Sequence, residues 1–139
     1  MLGHHMVKHG CNLQSTIALS SRESEFYGLV KGASVGLGLY SLFVDWGIKM
    51  KRELASDSSA ARGHVKRRGL GKRRHVQSRF LWIQERVSKG DLKIAAVPGK
   101  YNVADILTKC VGGVLLRRHS ATLNVWDRKK NPTQKKVMK

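Results

Sequence analysis

The sequence predicts an α/β fold. Two observations carry that reading. Short apolar runs of strand length alternate with longer stretches whose apolar residues recur every three or four positions. Turn-forming residues close several of these stretches: Gly47, Gly90 and the pair Pro98-Gly99. A length of 139 residues bounds the chain to one domain, and a hydrophobic content of 41% is enough for a modest core.

The elements follow in order. Leu13 to Leu19 reads as a strand, with Leu13, Ile17 and Leu19 apolar, and its start reaches back to Met6-Val7 on one reading. A helix is predicted from Ser21 to Trp46. Phe26, Val30, Ala33, Leu37, Tyr40 and Val44 give it an apolar face. Ser20 and Glu23 fit the S-x-x-E capping box, which gives Glu23 a structural task. Glu25 has no such task and shares its face with Gly28, Gly32 and Gly36. Each interior glycine weakens a helix by about 1 kcal/mol against alanine. Close packing of the stripe on a sheet would explain so many, and would aim Glu25 into a site. A relaxed sequence would explain them as well.

Arg52 to Asp57 reads as a short strand that delivers a carboxylate at its end, and Ser58 to Val65 as a short helix. Two roles fit Asp57: a metal ligand, or the cap of that helix. Lys66, Arg67, Arg68, Lys72, Arg73 and Arg74 then crowd a loop with two glycines. That composition suits phosphate contacts, a solvated loop and a nuclear import signal alike. Val76 to Lys89 is a helix with Val76, Phe80, Ile83 and Val87 on one stripe. Leu92 to Val97 reads as a strand. Asn102 opens another helix in which Asp105 can serve the cap, and Val111 to Val125 forms a last one. The segment 127–139 has little apolar content and six basic residues, and is expected to be disordered.

Net charge is +18, from 27 Lys and Arg against 9 Asp and Glu. Such an imbalance strains a compact fold unless a polyanion screens it, so nucleic acid is the expected partner. A basic tail or a basic surface of purely structural origin would raise the total too. Cys11 and Cys110 lie far apart and read as reduced thiols. His4, His5, His9 and Cys11 are dense, but their spacing fits no zinc motif. No apolar run reaches the length of a membrane span and no signal peptide is visible. The expected location is intracellular, cytoplasmic or nuclear, with organelles open.

Glu25, Asp57 and Asp105 each stand at the end of an element. Carboxylates gathered at one edge of a sheet would hold Mg²⁺, which prefers oxygen ligands. Two such ions would activate water for phosphodiester hydrolysis. Spacing alone does not bring the three acids together.

Four ordered blocks resemble the ribonuclease H domain of copia-type LTR retrotransposon Pol polyproteins. They are Gln14 to Ser21 with Glu25; Ser56-Asp57-Ser58-Ser59-Ala60-Ala61; Arg73-Arg74-His75 leading into Phe80 to Glu85; and Val97 to Lys100 with Asn102 to Lys109. The last is the most specific, through its A-D-x-x-T-K word. The resemblance covers about residues 13–110. It implies a ribonuclease H-like fold, a mixed sheet flanked by helices, in which Glu25, Asp57 and Asp105 hold Mg²⁺ or Mn²⁺ and His75 positions or contacts substrate. The implied reaction is endonucleolytic hydrolysis of RNA in RNA–DNA hybrids.

The family's opening strand and its first catalytic aspartate have no counterpart, since the first acid here is Glu23. On this reading 1–12 is the remainder of an early strand or unordered, 13–125 the domain and 126–139 the basic tail. The expected activity is weak or absent. The alternative is a domesticated, non-enzymatic RNA-binding or structural protein of a ribonucleoprotein particle. Expected partners are an RNA–DNA hybrid or structured RNA, and a larger polyprotein or ribonucleoprotein assembly, with no membrane.

Overall fold

A computed structural model describes residues 6–15, 17–69 and 81–125. The chain forms two compact units. One runs from Leu13 to Gly99; the other combines Met1–Asn12 with Lys100–Lys139.

The first unit contains helix α1 (Ser21–Asp45), strand β1 (Glu53–Ser56), helix α2 (Ser59–Lys66), helix α3 (Trp82–Ser88) and strand β2 (Lys93–Ala96). The two strands pair in parallel, Glu53 opposite Lys93 through Ser56 opposite Ala96. Parallel strands cannot be joined by a tight turn and need a crossover. Helices α2 and α3 lie in that crossover. The register turns Leu54 and Ile94 to the same face, toward the helices, while Glu53 and Lys93 stay exposed.

The core lies between α1, α2, α3 and that strand face. Phe26, Ala61, Val65 and Ile83 are fully buried in it, with Val30, Ala33, Leu92 and Ile94 around them. The His64 imidazole meets the Phe26 ring edge-on at 4.5 Å. Burying a side chain of Phe26's size contributes roughly 1.5–3 kcal/mol, so these contacts fix the helices on the sheet.

Helix α1 begins where the capping pattern puts it. Ser20 Oγ accepts the Glu23 N–H at 3.3 Å. The Glu23 carboxylate, almost fully buried, accepts the Leu19 N–H at 3.1 Å and the Tyr27 hydroxyl. The reciprocal bond thus reaches one residue further back than in the standard box. The helix ends at Gly47, whose φ of +73° is the left-handed conformation that favours glycine after a helix. The predicted apolar face holds only in its first half. Phe26, Val30 and Ala33 are buried, Leu37 and Tyr40 half-buried, and Val44 is exposed. By length and composition α1 is apolar enough to cross a membrane, contrary to the expectation from the sequence. Of that apolar window 28% is buried, so packing in the core accounts for only part of the composition.

Three further expectations are corrected. Residues 13–15 and 17–20 form no strand, and Leu13 and Ile17 are almost wholly exposed. A strand needs a partner edge. This segment is tethered to α1 instead, through Gln14 Nε2 donating to the Ser24 carbonyl at 2.9 Å and through the Leu19 N–H. Among the described residues the sheet is two parallel strands, not a mixed sheet. Asn102 opens a 3-10 turn over Val103–Leu107, not an α-helix. The predicted helix over 76–89 is described from Trp82 onward, and its start lies outside the described residues, as do the 126–139 tail and the His4-His5 pair.

In the second unit, helix α4 (Gly113–Thr122) packs on the Val103–Leu107 turn. Cys11 and Cys110 are free and exposed.

Candidate nucleic-acid interface and acidic positions

The basic segment starts inside α2. Lys66 is its last residue, and Arg67, Arg68 and Gly69 continue as an exposed bend. Gln84 of α3 anchors it. Its side-chain oxygen accepts the Gly69 N–H at 2.8 Å, and its Nε2 donates to the carbonyls of His64 at 2.9 Å and Gly69 at 3.2 Å. One buried amide thereby ties the end of α2 and the bend to α3. A buried amide left without these partners would cost about 1–3 kcal/mol, so the bend is held where Gln84 needs it. Gly69 sits at φ +78°. Arg67 and Arg68 remain exposed beside this anchor, and an open cleft lined by Arg68, Gly69, Leu81 and Gln84 lies next to them. A pinned cationic ridge of this kind can contact backbone phosphates at a small entropic cost. Lys72, Arg73, Arg74 and His75 lie outside the described residues.

Gln84 is the residue that sequence reasoning passed over. The signal was available. Gln84 stands four residues after Phe80 and three before Val87, so it shares the apolar stripe of α3. A polar group on a buried face needs partners, and here it ties down the basic bend.

The capping role fits one of the two aspartates and not the other. Asp57 directly follows β1 and is half-buried. It does not cap α2, because Ser58 does, its Oγ accepting the Ala61 N–H at 3.2 Å. Among the described residues nothing donates to the Asp57 carboxylate, and its Oδ2 would lie 3.8 Å from a Cβ placed on Gly99. Asp105 does the opposite. Its carboxylate accepts Asn102 Nδ2 at 3.1 Å and the Lys109 ammonium at 2.9 Å, the local bonding a capping role predicts. Glu25 is exposed on α1. Of the glycines beside it, only Gly32 meets the sheet: a Cβ there would lie 3.2 Å from Leu54 Cδ1, whereas Gly28 and Gly36 face open space.

These positions decide how well a divalent metal would fit. Both Asp105 oxygens carry N–H donors, so an ion would have to displace Lys109. Among the described residues no three Asp, Glu, His or Cys side chains cluster as a metal site requires.

Comparison with known proteins gives one informative relative. Over 101 residues, 71% of this chain, the sequence is 26% identical to the retrovirus-related Pol polyprotein from transposon TNT 1-94 of Nicotiana tabacum. The chain spans about 8% of that polyprotein's length. No family model matches the chain, and no solved structure does. The likeness supports a retrotransposon-derived origin for the sequence.

Proposed function

We propose that this chain is a ribonuclease H-like segment of retrotransposon Pol origin whose working property is binding of nucleic acid, RNA–DNA hybrid or structured RNA, through its basic surface. The observation that carries the reading is the Lys66-Arg67-Arg68 ridge, exposed and pinned by Gln84, on a chain of net charge +18. The test is binding of a labelled RNA–DNA hybrid across a salt series. Wild-type affinity should fall steeply with salt, as phosphate contacts release counterions. Replacing Lys66, Arg67 and Arg68 by Gln should flatten that dependence. Binding insensitive to salt would refute the reading.

A second reading has its own observation. Asp57 stands at the end of β1 with a carboxylate that no cap uses. The resemblance assigns it, with Glu25 and Asp105, to Mg²⁺- or Mn²⁺-dependent hydrolysis of the RNA strand. Cleavage of the hybrid by the wild type, lost in Asp57→Asn, would establish that activity. Absence of cleavage with binding retained would leave the binding protein alone.

A further inference from the structure

The described residues of the second unit offer their cations few acids to pair with. In the first unit several cations pair with acids: Arg52 and Arg86 with Asp91 at 3.5 and 3.1 Å, Lys89 with Glu85 at 2.6 Å, Lys93 with Glu53 at 3.8 Å. In the second unit Asp105 is the one acidic side chain among the described residues, and it is bonded to Lys109. Lys100 and Arg118 gather on an aromatic ring instead. Arg118 Cζ lies 4.4 Å and Lys100 Nζ 5.0 Å from the Tyr101 ring centroid.

That difference has an electrostatic meaning. A carboxylate partner cancels a cation's field at a distance. A ring quadrupole fixes a cation in place and leaves its charge intact. Arg118 comes from α4 and Lys100 from the turn before Asn102, so the ring joins two separate elements. All three side chains are exposed, Tyr101 by 44%. The same cations, Arg118 first, draw the Tyr101 phenol below its ordinary range. Arg118 adds a planar fork of donors that suits phosphate oxygens.

We propose that Lys100, Tyr101 and Arg118 form a phosphodiester-binding clamp, a second contact for the nucleic-acid backbone that is separate from the Lys66-Arg67-Arg68 ridge. This deepens the nucleic-acid reading and rests on it. The clamp recognises neighbouring phosphates on one strand and carries no base specificity, because its charges and not an open stacking face are presented.

The experiment is a salt titration of binding, by fluorescence anisotropy, using the whole chain and a labelled 20-nucleotide RNA–DNA hybrid. Arg118→Gln should make the slope of log K against log salt shallower by about 1, the signature of one lost phosphate contact. The loss of affinity between 50 and 200 mM salt would then shrink by about fourfold. Tyr101→Leu keeps both cations but frees them, and should weaken binding; Tyr101→Phe keeps the ring and should retain most of it. Far-ultraviolet circular dichroism checks that each variant folds, and a folding defect alone would not change the slope. An unchanged slope in Arg118→Gln, with a flattened slope in the Lys66/Arg67/Arg68→Gln variant, would overturn the clamp and leave the ridge standing. Failure of the wild type to bind the hybrid would overturn both. Binding to phosphatidylserine vesicles that responds to Arg118→Gln, with hybrid binding unaffected, would reassign the site to a lipid surface and overturn the proposal.

Discussion

The two halves of α1 share one helix and one glycine-rich composition, yet they behave as different objects. The first half is capped by Ser20, carries buried Glu23, and sinks Phe26, Val30 and Ala33 into the core. The second half exposes Leu42 and Val44, and after it Trp46, with Phe43 buried against the edge of the Trp46 ring. Only the first half meets α2 and the sheet closely enough for a glycine to matter, at Gly32. Helical periodicity therefore reports which residues share a face. Whether that face is covered depends on the partner elements, and among the described residues those reach only part way along α1.

The sharpest way to break this contrast is Phe26→Ala, which should cost about 3–5 kcal/mol in urea unfolding, because it opens a cavity in the packed half. A loss below about 1 kcal/mol would mean that the first half is no better packed than the second. Ser20→Ala removes the cap and should cost about 1 kcal/mol by thermal unfolding. Next comes a paired test on the glycines. Gly36→Ala meets nothing within 4 Å and should stabilise by about 0.5–1 kcal/mol. Gly32→Ala gains the same backbone term, but its Cβ falls 3.2 Å from Leu54 Cδ1, so it should stabilise less or destabilise. Equal effects would show that the helix does not press on β1. Leu42→Ala, in the exposed half, should stay within about 0.5 kcal/mol of wild type.

The smallest effect concerns α3. Lys89, hydrogen-bonded to Glu85 at 2.6 Å, holds that carboxyl below the usual carboxylate range. A lowered folded pKa gives a contribution that is present at neutral pH and disappears as pH falls through the folded value. Both groups are exposed, so its size is small. Nuclear magnetic resonance titration should show the Glu85 pKa rising in Lys89→Gln.

Local patterns were legible in the sequence; pairings over distance were not. The start and end of α1, β1 with its terminal Asp57, α2, and β2 fall within a residue or two of where periodicity and turn residues put them. The Leu13–Leu19 segment has a strand's alternation and no strand, because alternation says nothing about whether an edge is available. Asp57 and Asp105 looked alike in sequence, each beside a helix start. Ser58 took the cap in one case, while Asn102 and Lys109 bound the carboxylate in the other. The partners of Gln84 and the Tyr101–Arg118 contact were hidden because they join positions 15 or more apart.

The parallel pairing of β1 with β2 has a kinetic consequence. Its partners stand about 40 positions apart, and the intervening chain must close before a single strand bond forms. The capping contacts of α1 lie within a few residues and need no such closure. Refolding should therefore build α1 first and the sheet last, with the strand amides gaining protection from exchange after those of α1. Lys66, Arg67 and Arg68 sit in the closing loop, so a bound polyanion would restrain that loop and favour the folded state by mass action. On the proposed binding function, a nucleic acid would act as a folding ligand for this chain.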